Sequence, residues 1–105
     1  MSGAASPARG EASLTIGGET VLLRPTFAAL VEAEEALGPL LALVERAAEG
    51  RLTLAETARL VWHCIAAPGA RPTVETVGEA LTELGLAKTA PILKTLLGQI
   101  VHGDV

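Results

Sequence analysis

Val21–Gly38 reads VLLRPTFAALVEAEEALG: a short apolar run, a proline, then an acidic helical pattern closed by glycine. Pro25 cannot donate to a strand ladder and stops the run. Thr26 is placed to cap a helix, its hydroxyl accepting an amide hydrogen bond from the first turn. The helix is expected over Phe27–Leu37, with Phe27, Leu30, Val31 and Leu37 at helical spacing and Gly38 as a left-handed cap. A strand delivered straight into an amphipathic helix sets the class: mainly α, with a β-hairpin at its start. With Phe27 facing the core, Phe27→Ala is expected to cost about 3–5 kcal/mol.

Upstream, Ser13–Ile16 and Thr20–Arg24 are β-rich runs separated by Gly17-Gly18-Glu19. Paired glycines supply positive φ at no steric cost, which is a hairpin signal. Leu14 and Ile16 share one face, Val21 and Leu23 share one face of the partner strand, and Leu22 points the other way. A lone two-stranded ribbon is marginal in water, so it must lie on the helices or pair further.

Downstream the pattern is helical throughout. Pro39 is tolerated at the first position of a second helix, which runs to about Glu49 with Leu40, Leu41, Val44 and Ala47–Ala48 inward. Thr53-Leu54-Ala55-Glu56 is a capping box opening a third helix, about Leu54–Ala67, with Leu54, Ala58, Val61, Trp62 and Ile65 on one stripe. Pro68–Pro72 is a loop. Thr73 caps a fourth helix with Val74, Val77, Leu81 and Leu84 in a seam ending at Gly85. A fifth spans about Leu86–Val101, with Pro91 near its start to bend or delay it. The short connections favour antiparallel neighbours. The expected architecture is an N-terminal β-hairpin followed by a compact bundle of four to five short helices. Residues 1–11 read as a disordered, Gly/Ala/Ser/Pro-rich tail and 12–102 as one domain.

The 105 residues suffice for one modest core. Half are apolar, yet Phe27 and Trp62 are the only aromatics, so the core is aliphatic and helices pack through small residues. A net charge of −4 with scattered basic residues disfavours nucleic acid, whose binding relies on clustered Lys and Arg and on stacking faces. Cys64 is the single cysteine, which rules out an intramolecular disulfide. No apolar run reaches the roughly 18 residues of a membrane span, and the first ten residues lack the apolar core of a signal peptide. A cytoplasmic protein without a membrane partner is expected.

Three features invite a chemical reading, and each has a plainer one. Glu32, Glu34 and Glu35 can do acid–base work only if they converge in a cleft; on one helix they read as a solvated face or a docking face. His63 and Cys64 are adjacent on a helix and point about 100° apart, so they do not chelate one metal together. His102 is remote from both, and Cys64 reads as a small core residue. Gly17-Gly18 lacks the spacing of a phosphate loop. Arg24 has the Glu cluster or a partner carboxylate within its expected reach. No catalytic, metal-binding or cofactor-binding residue is assigned, and no cofactor is expected.

The fifth helix has the broadest apolar stripe: Ile92, Leu93, Leu96, Leu97 and Ile100. A globular core can absorb it, or it can receive an amphipathic helix from another protein. Arg24, Phe27, Glu32, Glu34, Glu35, Leu93 and Leu97 are therefore the candidate partner-binding residues.

The motif R-P-T-F-x-A-L-x-E-x-E-x-x-L-G at Arg24–Gly38 resembles the opening of the small gene-transfer-agent family of phage tail modules. The resemblance continues through Glu49-Gly50-Arg51-Leu52, TVETVGEALTELG at Thr73–Gly85, and the Ala90-Pro91 of the last helix. It implies a non-enzymatic tail assembly chaperone that covers the apolar stripes of a tape-measure protein. Its implied partners are tape-measure or other tail proteins, or further copies of the chain. Members are also labelled tail-tube proteins, so a structural tail subunit is the runner-up; more β-structure than one hairpin would be expected of it.

Overall fold

The computed structural model describes residues 11–66 and 71–102. The tail reading and most of the Pro68–Pro72 loop thus lie outside the described residues. Glu11, at the edge of the tail, is buried and accepts a 2.8 Å hydrogen bond from Arg24 Nε.

β1 (Ala12–Ile16) and β2 (Glu19–Leu23) form the expected antiparallel hairpin, with Leu14 opposite Val21 and Ala12 opposite Leu23. Gly17 and Gly18 hold φ of 59° and 84°, the left-handed pair that lets two residues reverse the chain. Leu14, Ile16 and Leu23 are buried. Five helices follow: α1 (Phe27–Leu37), α2 (Leu40–Ala48), α3 (Leu54–Cys64), α4 (Val74–Leu84) and α5 (Leu86–His102).

The hairpin is tied to the bundle by backbone as well as by side chains. Leu23 bridges Ile65, the Arg24 amide donates to the Cys64 carbonyl at 2.7 Å, and the Ala66 amide donates to the Leu22 carbonyl at 2.9 Å. This pairing explains why α3 ends at Cys64 rather than near Ala67. Ile65 adopts an extended conformation to meet β2, so a bridge between two buried residues, Leu23 and Ile65, replaces the final helical turn.

Helix starts follow the sequence closely. The Thr26, Thr53 and Thr73 hydroxyls accept from the Ala29, Glu56 and Thr76 amides, each at 3.1 Å. Glu56 completes the capping box by accepting the Thr53 amide at 3.0 Å. That bond, followed by Arg46 at 2.6 Å, holds the Glu56 carboxyl below its ordinary pKa. Pro39 caps α2 and is not its first residue. Having no side-chain oxygen, it leaves the task to Glu34, whose carboxylate accepts the Leu40 amide at 3.1 Å. α5 runs unbroken through Pro91, which lies in its second turn, where the missing amide removes one hydrogen bond.

The core comprises Leu14, Leu23, Leu43, Leu60, Val61, Val77, Leu81 and Leu96, with Ala33 and Ala58 where helices approach closely. α3 is the centre, packed against both α1 and α4, while α2 and α5 close the other side. The inward face of α1 matches the expected one in part: Leu30 and Leu37 pack against the core, but the other two residues of the stripe do not. Phe27 is 84% exposed and Val31 is also exposed, whereas Ala29 and Ala33 are buried. Residues 27 and 29 lie about 160° apart around a helix. α1 therefore carries two apolar stripes, and the smaller one faces α3, because alanine lets the backbones close up. In α2 Leu40 is buried as expected, but Leu43 takes the central core position and Leu41 is exposed.

Candidate interaction surface

The seven candidate residues fall into separate neighbourhoods. Arg24 does not reach the glutamates; Glu11 takes it instead. Phe27 stands in solvent at the first turn of α1. Glu34 is occupied with capping α2, and Glu35 is exposed. Glu32 turns toward α3, its carboxylate 3.3 Å from His63 Nδ1 and 3.7 Å from an Arg71 guanidinium nitrogen. Leu93 and Leu97 alone share one surface feature, a groove between α2 and α5.

The Glu32 neighbourhood is a fastening for the chain beyond α3. Arg71 lies over the Trp62 ring at 4.7 Å, a cation–π contact, and Trp62 Nε1 donates to the Pro72 carbonyl at 2.6 Å. His63 meets Trp62 edge-on at 4.9 Å. Its Nε2 is buried without a hydrogen-bond partner among the described residues. Next to it, burial pushes the Cys64 thiol up from 9.0 to about 12, against a smaller opposing pull from Arg71. A thiol so placed is protonated at neutral pH and a poor nucleophile. Among the described residues no group of three or more His, Cys, Asp or Glu side chains lies together as a metal site.

The larger feature is an apolar band assembled from three adjoining grooves. One, of about 760 Å³, runs between α3 and α4, with Leu54, Ala58, Val74 and Gly78 on its walls and Glu75, Glu79 and Glu83 along its rim. A second, of about 240 Å³, shares Leu54 with the first and adds Leu52, Leu86, Ala90 and Leu93. The third, of about 380 Å³, shares Ala47, Ala90 and Leu93 with the second and ends at Lys94, Leu97 and Val101. Leu54, Leu86 and Val101 rise from this band at 47, 68 and 50% exposure. Of the apolar stripe on α5, Leu96 alone is fully buried; Ile92, Leu93, Leu97 and Ile100 are partly covered.

The α3/α4 end of the band is absent from the candidate residues, although its signal is present in the sequence. Glu75, Glu79 and Glu83 recur every four residues, which places them on one side of a helix. Spacing places Leu54 inward, yet it stands half-exposed at the first turn of α3. At a helix end no preceding turn covers the side chain.

No curated protein and no solved structure matches the chain. Among the described residues no helix is long and apolar enough to cross a membrane. A family model described as "Phage tail tube protein, GTA-gp10" matches residues 9–103, which takes in the hairpin and all five helices. The hairpin-led helical chain therefore belongs to this phage tail tube family.

Proposed function

We propose that this chain is a structural subunit of a phage-like tail, contributing to the tube through helical faces rather than through an extended sheet. The observation that carries this reading is the family match over nearly the whole fold. Its description favours the runner-up of the sequence reading, the tube subunit, over the tape-measure chaperone. The expectation that a tube subunit needs more β-structure loses its force if helices make the contacts. One hairpin edge is already occupied by Ile65, and open apolar grooves lie between α3 and α4 and between α2 and α5.

In this reading Leu93 and Leu97 are contact residues for neighbouring tail proteins, because they line an open apolar groove and are only partly covered by their own chain. Chaperoning remains the second reading, favoured by one observation: an open groove between two helices is the shape that receives an amphipathic helix. The two readings separate in a deletion strain complemented with Leu97→Glu. A structural subunit with a spoiled face gives particles with missing or truncated tails while the tape-measure protein stays soluble. Loss of the tape-measure protein into the insoluble fraction would transfer support to the chaperone reading.

A further inference from the structure

The groove between α3 and α4 has an apolar floor and a rim of one charge. Glu75, Glu79 and Glu83 follow it at four-residue spacing, all exposed, and no lysine or arginine lines it. None of the three makes an ion pair among the described residues, whereas Arg24, Arg46, Arg51 and Arg71 each meet a carboxylate elsewhere. Like charges four residues apart disfavour their helix, so the row costs the free chain stability that cations from outside restore. The floor is lowered by Gly78. A Cβ built there would meet the Ala58 Cβ at 3.7 Å, an ordinary contact, so the packing of α3 on α4 does not require glycine. Without a side chain at that position the groove is open to one from elsewhere.

These features specify the occupant. The wall along α4 runs from Val74 to Glu83, about 14 Å at roughly 1.5 Å per residue, which matches roughly two to three turns of a helix lying alongside. Apolar side chains at i, i+3, i+4 and i+7 would fill the floor, and Lys or Arg on the flank beside them would meet the glutamates. Among the described residues no helix of this chain answers that description. α2 and α3 hold one Lys or Arg each, Arg46 and Arg59, and α1 and α4 hold none. Lys88 and Lys94 of α5 lie six residues and so about 120° apart, on different faces. The complement to the acidic row is therefore in another polypeptide.

We infer that the α3/α4 groove is the docking site for a basic amphipathic helix of a different protein, its apolar face on Ala58 and Gly78 and its cations on Glu75, Glu79 and Glu83. This deepens the tail-subunit reading by giving the chemistry of one neighbour, and rests on that reading for the neighbour being a tail component. The contact itself is measured on the purified chain, so the two fail separately.

Fluorescence anisotropy with two labelled synthetic peptides tests it. Both are amphipathic and of roughly eighteen residues, long enough to be helical in isolation. Each has leucines along one face; one is flanked by lysines and the other by glutamates. The lysine peptide should bind the full chain, weaken with added salt, and bind about tenfold or more tighter than the glutamate peptide. Glu79→Lys should weaken its binding about tenfold, whereas Glu35→Lys, the same change of net charge at an exposed position on α1, should leave it within about twofold. Gly78→Leu should abolish binding by filling the floor; leucine is the better helix former, and circular dichroism checks the fold. Equal binding of the two peptides, no binding of the lysine peptide, equal losses from Glu79→Lys and Glu35→Lys, or full binding by Gly78→Leu would overturn the inference. So would self-association of the chain alone that Glu79→Lys abolishes, since the occupant would then be a second copy.

Discussion

Truncating Leu81 and truncating Phe27 should have opposite consequences, and the contrast tests which face of each helix is inside. Leu81 is fully buried at 0% exposure on α4, which packs against α3 and β1. Leu81→Ala removes its buried methyl groups and leaves a cavity that rigid neighbours cannot close, at a cost of about 3–4 kcal/mol. A domain of this size has about 5–15 kcal/mol in all. At about 4–8 °C per kcal/mol, the midpoint should fall by roughly 15–25 °C. Phe27 is 84% exposed, so about a sixth of its area is covered. For a phenylalanine of about 200 Å² that is about 30 Å², worth about 0.8 kcal/mol at 25 cal/mol per Å². Alanine returns about 0.5 kcal/mol through its higher helix propensity. Phe27→Ala should therefore shift stability by less than about 0.5 kcal/mol, against the 3–5 kcal/mol that a core placement implies. Urea titration followed by circular dichroism measures both variants on one scale. If Phe27→Ala loses as much as Leu81→Ala, α1 is turned about its axis relative to this description and the reasoning fails.

Thr53→Ala should cost about 1 kcal/mol by removing one half of the capping box of α3, read as a lower urea midpoint with an unchanged slope. Gly78→Ala should raise stability by about 0.5–1 kcal/mol, because the added methyl has room beside Ala58 and alanine is the better helix former; a lower thermal midpoint would contradict the packing. Cys64 should resist iodoacetamide in native protein at pH 8 and react in denaturant, since burial raises its pKa to about 12; rapid native labelling would contradict the burial. The same shift favours the protonated thiol in the fold, so its contribution is intact below pH 9 and is lost as pH climbs from about 9 toward about 12. Glu56 acts at the other end of the scale. Its lowered pKa means that its contribution is present above the ordinary value of 4.5 and is lost as pH falls through the lowered folded value, so stability should decline in acid; Thr53→Ala keeps the backbone amide that chiefly causes the shift and should keep most of this dependence.

Local chemistry made most of the fold legible. Gly17-Gly18, Pro25-Thr26, Thr53 with Glu56, Thr73 and Gly85 act within a few residues of themselves, and each marks an element boundary that the structure keeps. What failed was long-range. Periodicity shows that Phe27 and Val31 share a stripe, but it does not say which stripe faces α3; the close approach of Ala29 and Ala33 decides that. The early end of α3 was equally hidden, because it depends on Leu23, more than forty residues upstream, pairing with Ile65. For the surface, the half-covered stripe of Leu93 and Leu97 was readable from its width on α5. Of the α3/α4 groove only the acidic rim was readable, from Glu75, Glu79 and Glu83 at four-residue spacing; its apolar floor forms only where two separate helices pack side by side.

The most direct test of the structural role is the amount of this chain in finished particles, measured by quantitative mass spectrometry on gene transfer agent particles purified from the host. The account predicts many copies per particle, in fixed proportion to the other tail components. A chain that is present in producing cells and missing from the purified particles would contradict it.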